Sequence, residues 1–482
     1  MYLRHSRLQE AQLVKVNAAA RLIGAALTSA ALSLPGCSGG DPAPVIVATA
    51  VDDHGPIFRR LQVTLSEPGE VDVEYSAAGS ERLRVTGLAR ATQHALVLPR
   101  LRERQTYTFR VRARAAPGGE ESTTEGSFAT GDLPEDVHAI GFAPSGVASA
   151  PMHFLSMRSV FTGGLIVDAQ GRVVWYGRTP SAPLGAARRA NGHWVLLFGG
   201  GAGAGLIEFS ALGETVHRLD ASALPVGQRI HHAVTATPQD TLLFLTFDPR
   251  EVDGQMRNGE ALWEWNPPTA ALITRWSAFD FIDPRFESGA RSVPDDWLHA
   301  NSVSLGPRGN IVVSLHYLDQ VISLASDFSA IEWRLGGAHS TFAFDPVQAS
   351  SGQHSVFEVA PDRVLMFDNG VARPDGSRFS RVTELAVDRI SGRVAIAWEY
   401  RPDPPIWAPI FGSVRRLPNG NSVVAFGAPP GQLGATGPVE LHEVSPSGER
   451  LWRLLLSLPP GGGIFQADPL ISVAGEVIST TE

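Results

Sequence analysis

Apolar and polar residues alternate along this chain in short runs broken by turns. That is the period-two pattern of half-buried strands, and long stretches with helical spacing are scarce. Five runs end alike, with a turn, an apolar or mixed stretch, then Trp: GRVVW (171–175), ALITRW (271–276), SAIEW (329–333), GRVAIAW (392–398) and GERLW (448–452). A sixth, GETVH (213–217), has His217 where the others have Trp. The markers are 42, 59, 57, 65 and 54 residues apart. Self-similarity at this period in a strand-rich chain predicts propeller blades, with function on the axis where they meet. Too few strands precede Trp175, and none follow residues 464–472. The two ends are therefore expected to complete one blade together, which removes free sheet edges.

Upstream, residues 45–49, 61–65, 71–75, 95–98, 107–113 and 126–130 read as strands of a smaller domain, and 131–134 as a linker. The segment LRERQTYTFRV (101–111) resembles a fibronectin type III domain, in which Leu and Tyr anchor the return of a late strand. The expected fold class is all-β: a six-bladed β-propeller at 137–482 preceded by a small β-sandwich at 45–131, with a spacer or docking role for the sandwich.

A second register runs inside the repeats. Turns at Asp240, Gly309, Asp362 and Gly420 follow an early strand of successive blades, and eight residues before each lie His232, Asn301, His354 and Gly412. Eight is even, so the four share one strand face and point to the centre. His299, two before Asn301, faces the same way, and His231 faces away from His232. Gly412 leaves space beside them. Three imidazoles and an amide from three blades thus converge. Trp407, Phe411 and Phe465 fall near the axial mouth, where they can stack on an aromatic ring or pack in the core.

Composition narrows the chemistry. The chain has 482 residues, 49 Gly, 35 Pro and only 18% charged residues, as in a packed globular protein. Its only Lys is Lys15 and its only Cys is Cys37. Residues 1–36 read as a lipoprotein signal peptide: Arg4, Arg7, Lys15 and Arg21, an apolar stretch at 22–34, then LPGC (34–37). The LPGC site resembles a bacterial lipobox, with Cys37 as the lipidated residue, 37–44 as a tether, and Ser38 favouring the outer membrane. The expected location is the periplasmic face of the outer membrane or the cell surface. A chain cut there has no Lys, so Schiff-base chemistry is excluded, and Ser, Thr, His, Asp, Glu and Tyr remain as nucleophiles. The net charge of −9 gives no basic face for nucleic acid. The loop GGGAGAG (199–205) is followed by no helical pattern and reads as a blade loop, not a phosphate cradle.

The segment DWLHANSV (296–303) resembles a signature of bacterial arylsulfate sulfotransferases, the PAPS-independent class. EWRLGG (332–337), QH (353–354) with FDNG (367–370), SRVTE (380–384) and WEY (398–400) continue the match. The resemblance implies a six-bladed propeller that moves a sulfuryl group between phenols through a sulfohistidine. It implies His354 as nucleophile and His299 as acid and then base, with Asn301 and His232 donating to sulfuryl oxygens. The family's Arg after the DWLHANS segment aligns with His316 here. Either His316 acts protonated, or Arg381 or another Arg supplies the charge, or the activity is weaker or altered. No cofactor is implied. The partners expected are phenolic sulfates and phenols, and a membrane only through the N-terminal lipid; a homodimer is compatible with the sequence. Two other readings stay open: a metal-dependent propeller hydrolase or lyase using His232, His299, His354 and His316, and a non-catalytic binding propeller.

Overall fold

The computed structural model describes residues 43–199, 203–345 and 348–479. The leader at 1–36, Cys37 and the tether as far as residue 42 lie outside the described residues, as do 200–202 of the Gly-rich loop.

The N-terminal strands are β1 (Ile46–Gly55), β2 (Phe58–Ala77), β3 (Leu83–Leu98), β4 (Thr106–Arg114) and β5 (Glu121–Ala129). The first half of β2 pairs with β1 and the second half of β3. Its second half pairs with the first half of β3 and with β4, which pairs with β5. Register shifts between Thr64 and Val71 mark where the long strands turn. Alternate residues Leu61, Val63, Val71, Val73 and Tyr75 face one core. This domain packs on the rim of the propeller: Phe58 lies 5.0 Å from Tyr176, and Arg102 3.4 Å from Asp168.

Among the described residues, six sheets of four or five strands follow. Their innermost strands are Pro183–Arg188, Arg229–Ala236, Ala300–Leu305, His354–Ala360, Ser413–Arg416 and Gly463–Leu470. Each contacts the next, and the sixth contacts the first, so the ring is closed. The closing blade joins both ends of the chain, as the marker pattern predicts: Gly463–Leu470 pairs with β7 (Met152–Arg158), followed by β8 (Thr162–Asp168) and β9 (Val173–Arg178). A second closure is not visible in the pattern. The strand β6 (Gly141–Gly146) pairs with the outermost strand of the preceding blade, Arg450–Ser457, and covers its edge.

The repeated Trp is a wedge between blades. All five, and His217, sit on the fourth strand of their sheets, counted from the axis. Nε1 of Trp175 donates to the Ser210 carbonyl and Nε1 of Trp452 to the Ala169 carbonyl, each at 3.2 Å and each in the following blade. Deleting such a buried ring typically costs about 3–5 kcal/mol.

Candidate active site

The innermost strands bend at the end where the histidines sit. Register shifts fall between Pro183 and Gly185, His231 and Val234, Ala300 and Ser302, His354 and Phe357, and Ile464 and Ala467. His232, His299, Ser355 and Phe411 have φ of 52°, 51°, 52° and 61°. Side chains other than Gly rarely adopt this left-handed region, at a cost of about 1–3 kcal/mol each. Bulges re-aim side chains beside functional sites. The parity argument is therefore incomplete. His299 lies ahead of its strand and reaches the axis through its own positive φ, not through strand alternation. Gly412 is also more than a vacancy: its φ is +97°, and a Cβ there would lie 2.4 Å from the Phe367 ring.

Four imidazoles form a chain at the hub. Ring centroids of His232 and His299 are 4.5 Å apart, of His299 and His316 5.3 Å, and of His316 and His354 5.1 Å. Tyr317 stacks on His299 at 4.5 Å. On one side of the group a cavity of about 420 Å³ follows the axis, walled by His232, Asn301, His354, Gly412 and Phe465 among others. Phe465 lies 6.2 Å from His354 and 6.3 Å from His232. Phe411 touches Phe465 at 5.5 Å. Trp407 instead donates from Nε1 to the Gly370 carbonyl at 3.2 Å and does not line the cavity.

Hydrogen bonds fix the protons on two rings. The Asn369 amide nitrogen donates to the carbonyls of Ala408 and Phe411, each at 2.8 Å, so its oxygen faces Nδ1 of His354, also at 2.8 Å. Nδ1 of His354 must then carry the hydrogen, and Nε2 keeps the lone pair. Burial lowers the pKa of His354 to about 4 against the opposing Asn369 bond, so the ring is neutral at pH 7. Nδ1 of His299 bonds the Asp296 carboxylate, so that nitrogen carries its hydrogen. The His299 side chain is 22% exposed. Asn301 donates to the Gln353 carbonyl at 2.9 Å, and its buried Oδ1 has no partner among the described residues.

Neither His316 nor Arg381 supplies a positive charge to the hub. His316 is buried in a short turn, His316–Leu318, and burial, then His354, His299 and Arg291, hold its pKa well below the usual value. It is neutral at pH 7. Arg381 does not join the group. Its Nε binds Asp368 at 2.8 Å, Nη1 binds Glu399 at 2.9 Å, and Nη2 binds the Gln348 carbonyl at 2.8 Å. The guanidinium against His316 is that of Arg291, which donates to the His316 carbonyl and, at 2.6 Å, to Asp319. Nothing in the strand pattern marks Arg291, because it lies in the loop before DWLHANSV. Asp296 and Asn369 do stand inside the quoted motifs, where their roles could have been noticed.

A closed six-bladed propeller with an imidazole cluster at its hub is the class that fold and site define. The chain belongs to the arylsulfotransferase (ASST) family, whose model matches residues 148–451. Membership supports aryl sulfotransfer as the general chemistry. No curated protein matches the chain. Similar solved structures include a Bacteroides caccae protein of unknown function (13% identity, 64% of this chain and 94% of that one, TM-score 0.43). Others are virginiamycin B lyase from Staphylococcus aureus (8%, 66% and 100%, 0.36) and a Xanthomonas campestris gluconolactonase (12%, 61% and 79%, 0.34). At these scores none bears on the chemistry.

Proposed function

We propose that this protein transfers a sulfuryl group from a phenolic sulfate ester to a phenolic acceptor through a sulfohistidine at His354. The observation that carries this reading is the Asn369 bond, which leaves the Nε2 lone pair of a neutral imidazole as the nucleophile. Nε2 attacks sulfur, the bond from sulfur to the aryl oxygen breaks, and His299 protonates the leaving phenoxide with Asp296 behind it. The second N–H of Asn301 meets a sulfuryl oxygen. An acceptor phenol then loses its proton to an imidazole of the cluster. Its oxygen attacks sulfur and the S–N bond breaks. Two steps in one pocket spare the site from holding both phenols together.

Intact-protein mass after mixing with p-nitrophenyl sulfate tests this. The protein is expected to gain one sulfuryl group, His354→Ala to gain none, and His299→Ala to turn over about 10²-fold more slowly. Full transfer activity in His354→Ala rules the mechanism out.

We further read the N-terminal domain as fibronectin type III-like, supported by the Tyr107 hydroxyl that accepts the Arg102 N–H at 2.9 Å, a tyrosine corner. Export as a lipoprotein acylated at Cys37 is also proposed, on the LPGC site alone. The mass of the mature N-terminal peptide tests it.

A further inference from the structure

Several buried ionisable groups lie outside that cycle, Glu260 among them. Glu260 is 0% exposed and sits on the third strand, Gln255–Asn266, of the blade that carries His232. Its Oε1 accepts the Ala300 N–H at 2.7 Å. Its Oε2 lies 2.8 Å from Nε2 of His231, with the ring N–H angled off that line. His231 is buried too, stacked on Phe247 at 4.1 Å, and its Nδ1 is 2.9 Å from Nδ1 of His232. His232 walls the axial cavity beside His354 and Asn301. A continuous chain thus runs from a buried carboxylate to the cavity.

Only one hydrogen can occupy the contact between the two Nδ1 atoms. With Glu260 ionised, His231 gives its Nε2–H to the carboxylate and accepts the Nδ1–H of His232, which then shows a lone pair at Nε2. When a proton arrives at that Nε2, the Nδ1–H passes to His231 and the Nε2–H of His231 passes to Glu260. No imidazolium is left in the interior, and the buried negative charge is cancelled. Both ends favour this storage. Burial holds Glu260 above the usual carboxylate range, with Asp296 adding to the effect. Burial, then His299, His231, His354 and His316, hold His232 well below the usual imidazole value.

We propose that Glu260, His231 and His232 form a proton relay in which Nε2 of His232 removes the acceptor phenol's proton and Glu260 stores it. The relay rests on the sulfohistidine reading. The acceptor O–H bond breaks as its proton joins His232, the acceptor oxygen bonds sulfur, and the S–N pair returns to Nε2 of His354. The stored proton then comes back through His232 to His299, 4.5 Å away between ring centroids, which needs it for the next leaving group. His232 is the base, while Glu260 and His231 are positioning residues. With Glu260 ionised, His232 is not a donor to sulfuryl oxygens as the family resemblance implies.

Glu260→Gln tests the relay while keeping the shape of the side chain. Its oxygen stays on the Ala300 N–H, so its amide donates to Nε2 of His231 and fixes His232 with a hydrogen on Nε2. The sulfuryl adduct is measured by intact mass with donor alone, then its transfer to phenols of different acidity. The adduct is expected to form as in the wild type. Transfer to unsubstituted phenol, with a pKa of about 10, is expected to fall about 10²-fold. Transfer to a nitrated phenol already ionised at the assay pH is expected to be unchanged. His231→Phe, which keeps the stack on Phe247 and breaks the chain in its middle, must show the same acceptor-dependent loss. Equal loss for both phenols, or loss for neither, overturns the relay alone. If the wild type forms no adduct, the sulfohistidine reading fails and the relay falls with it.

Discussion

Nδ1 of His354 lies 2.8 Å from Oδ1 of Asn369, a residue that is itself locked by two backbone carbonyls. The orientation of the amide therefore sets the tautomer of the imidazole. Asn369→Ala should slow adduct formation by about 10²-fold, since the lone pair is then free to sit on either nitrogen. It should also lower stability, because the buried Phe411 carbonyl left without its Asn369 donor costs about 1–3 kcal/mol. Stopped-flow release of p-nitrophenol and a thermal melt read the two effects separately. An unchanged release rate would remove Asn369 from the mechanism.

The pH profile of the first half-reaction follows from the lowered His354 pKa of about 4. A depressed value means that the neutral nucleophile persists as the pH falls. With a donor whose phenoxide leaves without protonation, the adduct-forming rate should stay level below neutrality and drop only near pH 4. A break at the ordinary imidazole value of about 6.5 would contradict the buried, neutral ring.

His153 makes the matching prediction for stability. It is fully buried, neither nitrogen has a partner among the described residues, and it stacks on Trp452 at 4.5 Å. Burial lowers its pKa to about 4. Between about 6.5 and 4, the unfolded chain binds a proton at this residue that the folded one does not. Stability is therefore lost as the pH falls through that window and is unaffected above it. His153→Phe keeps the stacked ring and removes the titration, so its melting temperature should fall less than that of the wild type from pH 7 to 4.5. Parallel curves for the two proteins would show that His153 does not titrate in this way.

The charge beside His316 can be moved. Arg291→Gln is expected to slow adduct formation about 10²-fold, the scale of losing one preorganised electrostatic partner. His316→Arg in that background should recover part of the loss, because it restores a guanidinium next to His354. If Arg291→Gln is neutral, the positive charge at this site comes from elsewhere.

Chelation separates imidazole chemistry from metal chemistry. Turnover should survive dialysis against EDTA. Activity that disappears and returns with a divalent ion would instead favour the metal-dependent hydrolase or lyase.

The blades were legible in the chain because strand alternation and the repeated marker are local, and the shared closing blade because strands are too few at either end of the repeats. Period-two alternation sets each strand, and a Trp recurs on the fourth strand of five of the six blades, His217 standing in the remaining one. The alignment of His232, Asn301 and His354 came from turns a fixed distance away on the same strand. Tertiary structure alone decided what each side chain meets. Asn369 takes its orientation from the Ala408 and Phe411 carbonyls, about 40 residues on. Glu260 reaches His231 from two strands away, Arg381 is held by Asp368 and Glu399, and Arg291 arrives on a loop without a repeat. Positive φ at His232 and His299 aims their rings in a way that strand parity does not encode. Hydrogen bonds between blades depend on where the ring of sheets closes, and no local pattern carries that information.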